Sequence, residues 1–175
     1  MFSDPFANPE PLIRRVYSYV VYRLGDVTNA EDVTSETFER ALRYRESFDP
    51  RRGDVAAWLI GIARRCIADA STRVDVVVGE PIEAGGAEHE EDSIRKLTIG
   101  AALARLNERE RELIALRYGG DLTTRQIGEA MGMKTGAVEV ALHRSLKTLR
   151  ALLETDEFPG LRPARDVTWA TPPSA

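Results

Sequence analysis

The segment Thr123–Leu146 holds the residues whose types and spacing best fit a definable chemistry. Thr123 and Gln126 have the spacing of a capping box, which would open a short helix that Gly132 ends. Ile127 and Met131 recur at helical spacing, Gly128 is small where a second helix must come close, and Val138 anchors the longer helix that follows. A short helix, a glycine turn and a longer helix have the arithmetic of a helix-turn-helix, which offers the first side chains of its second helix to the major groove of DNA. The same pattern also fits a plain helical hairpin in which Gly132 is only a C-cap, so charge must arbitrate.

The net charge of −4 argues against a polyanionic partner only when it is averaged over the chain. Residues 1–73 balance, with 11 basic and 11 acidic side chains, while residues 74–94 carry seven acids and no Lys or Arg. Residues 95–153 carry 11 basic and 6 acidic groups, and the tail from 154 to 175 is −2. A C-terminal module of +5 is thus masked by an acidic connector, and the segment charge favours a nucleic-acid partner.

Other chemistries find little support. One cysteine, Cys66, allows no internal disulfide, and His89 and His143 are too few for a zinc-ligand cluster. The chain has no phosphate-cradling glycine loop, no paired metal-binding carboxylates and no nucleophile–base motif, so no enzyme, cofactor or metal is expected. The stretch Met1–Pro11 carries prolines and acids where a signal peptide would be basic and then apolar, and no apolar run approaches the ~18 residues of a membrane span. A cytoplasmic protein without membrane insertion is the expectation.

The elements that must position these residues read as all-α. Leu12, Ile13, Val16, Tyr17, Val20, Val21 and Leu24 mark a helix from about Pro9 to Leu24, stopped by Gly25. Thr28 and Glu31 read as a capping box for a second helix reaching about Arg45. After the turn-rich Ser47–Gly53, Asp54 would cap a third helix with the stripe Val55, Trp58, Leu59, Ile62, Ala63, Cys66, Ile67 and Ala70. Residues 74–93 lose all periodicity and read as an extended, flexible acidic linker. A second helical module then follows: about Ile94–Leu106, a helix from Asn107 and Glu110 to about Tyr118, a chain reversal at Gly119-Gly120-Asp121, the helix after Thr123, and a last helix from about Thr135 to Leu153. Val138, Leu142, Leu146 and Leu149 form the inner face of that last helix, and the tail from 155 to 175 reads as disordered. The predicted architecture is two small helical modules, 9–73 and 94–154, joined by the linker.

Two blocks also resemble a known family. Leu103 to Ile114, Leu116-Arg117-Tyr118, Gln126 to Gly132, Gly136-Ala137-Val138 and Leu142 to Leu146 are similar to region 4 of the extracytoplasmic-function (ECF) sigma factors of the sigma-70 family. Asp26, Ala30-Glu31-Asp32-Val33, Glu36-Thr37-Phe38, Arg40-Ala41, Phe48 to Gly53, Ala57 to Ile60 and Ile62-Ala63-Arg64 resemble region 2, in the right order ahead of a linker. The resemblance implies core RNA polymerase and promoter DNA as partners, an anti-sigma protein as regulator, and a monomer when free. It assigns polymerase docking to Glu31, Asp32, Glu36 and Arg40, which could equally be a solvated face with i,i+4 support. It assigns capture of the −10 element to Phe48, Arg51, Arg52, Arg64 and Arg65. Trp58 lies on the apolar stripe and reads as core, Cys66 as a small core residue, and Phe48 is open to either role.

For the −35 element the candidates are Arg125, Lys134, Thr135, Glu139, His143, Arg144 and Lys147, with His143 equally readable as a packing residue. The chain departs from the family twice. Ala70-Ser71-Thr72-Arg73 stands where relatives are strongly basic, and Glu139-Val140-Ala141 stands where they carry a basic residue, Ser and Arg. Glu139 could read a cytosine amine or simply face solvent. The alternative to a sigma factor is a stand-alone helix-turn-helix regulator, which would normally dimerise over two half-sites and would have no use for the first module.

Overall fold

The computed structural model describes residues 6–25, 27–73 and 99–154, and the side chains of 27, 28, 72 and 73 are not among those described. The predicted linker and tail, and the first residues of the second module, lie outside these ranges.

Helix α1 (Pro9–Leu24) starts with proline where the absent N–H is not missed, and Gly25 closes it at φ 71° with its N–H donated to the Val21 carbonyl. Helix α2 (Val27–Arg43) begins one residue before Thr28, the predicted cap, whose side chain is outside those described. It also ends short of Arg45, because Ser47 bonds the Tyr44 carbonyl through both its N–H and its hydroxyl and tightens Arg45–Ser47 into a 3-10 turn. Helix α3 (Val55–Arg73) follows Asp54, whose carbonyl accepts the Trp58 N–H. These three helices bury Leu12, Val16 and Val20, Ala30, Val33 and Ala41, and Leu59, Ala63, Cys66 and Ile67 against one another. Burial pushes the Cys66 thiol above its ordinary pKa, which suits its expected place in the core.

In the second module, residues 99–104 are helical (α4), followed by α5 (Glu108–Ile114), a π-helical turn (Ala115–Gly119), α6 (Thr124–Met131) and α7 (Thr135–Leu153). The capping boxes expected at Asn107–Glu110 and Thr123–Gln126 are both formed. The single helix expected from Asn107 to Tyr118 instead widens at Ala115, where the Gly120 N–H reaches back to the Ala115 carbonyl at 2.8 Å. Arg111 donates to the carbonyls of Leu103, Ala104 and Leu106, so the end of α4 is capped by a guanidinium from α5.

One sequence expectation needs physical correction, and the packing between the modules adds what the sequence does not carry. Within the expected chain reversal at Gly119-Gly120-Asp121, Asp121 takes the left-handed conformation, at φ 50°. A Cβ on Gly119 would fall 2.6 Å from the Tyr19 Cα, and one on Gly120 would fall 2.6 Å from the Ile60 side chain, so both glycines serve close packing on the first module. Leu146, expected on the inner face of α7, is 38% exposed, because the buried row runs through Val138, Leu142 and Ser145, with Leu149 partly buried. Tyr19 and Ile60 are fully buried although they stand off the apolar stripes of their own bundle. The second module covers them, and one hydrophobic core runs through both modules.

Candidate nucleic-acid interface

The helix-turn-helix forms as its sequence dictates. Gly132 takes φ 66°, and the Met133 N–H donates to the Gly128 carbonyl at 2.8 Å. A Cβ at Gly128 would meet the Met133 carbonyl oxygen at 2.6 Å, so glycine is required for this turn to pack on α6. Ile127 and Val138 are fully buried and fix α7 across α6. The opposite side of α7 is bare: Lys134, Thr135, Glu139, His143, Arg144 and Lys147 are all exposed. His143 is therefore not a packing residue. Arg125 is exposed on α6, with its guanidinium already paired to Glu129 at 3.0 Å.

The −10 candidates divide. Arg51, Arg52 and Arg65 are exposed, and the loop is held by the Arg51 N–H donating to the Asp49 carboxylate at 2.9 Å. The half-buried Phe48 ring sits 5.4 Å from Trp58, whose other neighbour is Phe6 at 6.1 Å. Trp58 packs on the core as expected, and Phe48 leans on it. Arg64 differs from the rest, for it is turned into the second module, paired with Glu112 at 2.7 Å and donating to the Ala130 carbonyl at 2.6 Å.

On the α2 face, Glu31 and Asp32 are exposed. Arg40 bridges Glu36 at 2.5 Å and Asp69 at 2.7 Å, so the expected i,i+4 pair exists and also ties α2 to α3. Leu42 and Tyr44 are large and exposed beside them, and sequence reasoning did not single them out.

The most polar part of the junction centres on Glu112. Its carboxylate, 10% exposed, accepts from Arg23 at 2.8 Å, from Arg64 at 2.7 Å and from the Tyr19 hydroxyl at 3.1 Å. Three helices thus meet on one carboxylate: α1 through Tyr19 and Arg23, α3 through Arg64, and α5 through Glu112 itself. Arg23 also pairs with Glu108 at 2.7 Å, and Arg15 donates to the Gly120 and Asp121 carbonyls. Burial, followed by the Glu112 charge, raises the Tyr19 pKa well above 10.0, so its hydroxyl stays a donor. Within a sequence this cluster is invisible, because Tyr19 and Arg23 lie some 90 residues before Glu112, Arg64 stands between them in the chain, and the three charged members look like ordinary surface charges.

Residues 10–75 match Sigma-70 region 2, and residues 102–151 match Sigma-70, region 4. The chain is 52% identical over 173 residues to the ECF RNA polymerase sigma factor ShbA of Streptomyces griseus, covering 86% of each. It is 32% identical to the ECF RNA polymerase sigma factor SigL of Mycobacterium tuberculosis, covering 79% of this chain and 82% of that one. It is 38% identical to the ECF RNA polymerase sigma factor BldN of Streptomyces coelicolor over 81% of this chain, but spans only 57% of that relative's length. Among solved structures, the sigma factor RpoE in complex with the anti-sigma factor NepR from Bartonella quintana has the same fold, with a TM-score of 0.70 at 18% identity over 85% of this chain and 95% of that one. CnrH in complex with the cytosolic domain of CnrY gives a TM-score of 0.61 at 23% identity, covering 86% of each.

Proposed function

Because the chain belongs to the ECF group of the sigma-70 family of RNA polymerase sigma factors, we propose that it binds core RNA polymerase and directs it to a set of promoters in the cytoplasm. The observation that carries this reading is a helix-turn-helix whose second helix presents an uncovered polar and cationic face, attached to a helical bundle with its own exposed arginines. In this reading α7 enters the major groove at the −35 element, with Lys134, Arg144 and Lys147 toward phosphates. Arg51, Arg52 and Arg65, beside the Phe48–Trp58 aromatic pair, meet the opened −10 strand. The α2 face with Glu31, Asp32, Glu36 and Arg40 docks on polymerase. An anti-sigma protein is the expected regulator, since the sigma factor RpoE from Bartonella quintana, which has the same fold, is held by the anti-sigma factor NepR.

The two elements named by this reading lie about 25 base pairs apart, which at 3.4 Å per pair is about 85 Å of duplex. No described helix exceeds 19 residues, or about 28 Å, so two modules packed side by side cannot reach both elements. Promoter engagement therefore requires the Glu112 junction to part, which also releases Arg64 to the −10 strand. Transcription with purified core polymerase on a promoter library tests the proposal. The expected result is start sites that depend on both this chain and core, with selected sequence at two spaced elements. Failure to associate with core, or promoter opening by the chain alone, would overturn it.

A further inference from the structure

Two residues on α7 are unexplained by the fold. Val140 is 52% exposed although it is apolar and β-branched, a poor choice for the open face of a helix. Gly136 lies one turn earlier on the same side, four residues before it. It has no positive φ, and a Cβ built there would meet nothing within 4 Å among the described residues, so neither conformation nor packing among them calls for glycine. Ala137, its neighbour in the first turn, is also exposed and small. The first two turns of the recognition helix therefore present a low strip, Gly136 and Val140, flanked by Lys134 on one side and by His143, Arg144 and Lys147 further along. Lys134, Arg144 and Lys147 around a bare, shallow apolar patch, with Glu139 beside it, suit a surface that must come close to base edges while its cationic rim meets phosphates.

Building on the proposed promoter role, we propose that Val140 is a specificity-determining residue that packs against the C5-methyl group of one thymine in the −35 element, with Gly136 allowing the helix axis to approach that base pair. The major groove marks thymine with this methyl alone among the four bases, and an aliphatic side chain is its natural complement. The chain thus selects a base by apolar contact at a point of the helix where its sequence carries Glu139-Val140-Ala141 and no cation.

Deoxyuridine tests this directly, since it pairs as thymine does and lacks only the methyl. A −35 sequence is first selected from a randomised promoter library with core polymerase and the full chain. Its thymines are then replaced by deoxyuridine one at a time, and run-off transcription is compared for the wild type and Val140→Ala. One replacement is expected to lower wild-type output about threefold to fourfold, the value of one methyl group withdrawn from water, and to leave Val140→Ala output unchanged. Alanine favours helix, and an unchanged melting temperature verifies the fold of the variant. Equal deoxyuridine penalties in both proteins, or no thymine whose methyl matters to the wild type, would overturn the inference while leaving the promoter role standing. If no transcript depends on core and this chain, the promoter role falls, and this inference falls with it.

Discussion

Replacing Glu112 with alanine removes the acceptor shared by Arg23, Arg64 and the Tyr19 hydroxyl, and it should open the junction between the modules. The cost follows from what is left behind. Deleting one partner of a buried ion pair costs about 3–5 kcal/mol, because the remaining charge is stranded away from water. Here the Arg23 side chain is 15% exposed but retains Glu108, while that of Arg64 is 33% exposed and retains the Ala130 carbonyl, so the low end applies. A loss of about 3 kcal/mol shifts the closed–open equilibrium by about two orders of magnitude. Glu112→Gln keeps the shape and an acceptor for Tyr19, so a loss of about half that size is expected. Amide hydrogen exchange reads the effect: the C-terminal half of α1 and the turn Ala115–Gly119 should lose protection together, while α2, which packs on α1 and α3, keeps its own. A double-mutant cycle with Arg23→Ala should return a coupling of about 1–3 kcal/mol. If Glu112→Ala leaves α1 and the turn as protected as in the wild type, the carboxylate does not hold the junction and the reasoning fails.

Four further outcomes are expected. Tyr19 has a folded pKa raised above its ordinary 10.0, chiefly by burial, so its contribution is intact below pH 10 and is lost above it as the unfolded chain ionises; the slope of denaturant stability above pH 10 should be shallower in Tyr19→Phe by about 1.4 kcal/mol per pH unit. Gly119→Ala places a methyl against the α1 backbone and should cost about 1–3 kcal/mol in denaturant melts, although its φ is unremarkable. Gly136→Ala goes the other way, gaining about 0.5–1 kcal/mol in the same melts while weakening promoter binding by blocking the approach of α7. Glu139→Arg should strengthen DNA binding generally and steepen its salt dependence by about one phosphate contact, measured as the slope of log affinity against log salt.

Local chemistry made much of this protein legible from its sequence. The Asn107 and Thr123 capping boxes, the left-handed stops at Gly25 and Gly132, the small Gly128 and the helical stripes are all decided within a few residues, where backbone hydrogen bonds and side-chain periodicity act. The helix-turn-helix and the bare face of α7 follow from those same rules, because a side chain's direction on a helix is fixed by its position. The family resemblance rested on the same short blocks. What tertiary structure alone decided was how the two modules meet. Nothing within ten residues of Gly119 tells whether it turns the chain or receives the backbone of Tyr19, and it does the second. Arg64 reads as a cation for DNA until Glu112 is brought to 2.7 Å from it, and Glu112 reads as a helix surface charge until three partners bury it. Charge pairing and close packing depend on distance in space, and residues some 90 apart in the chain acquire that distance only when it folds.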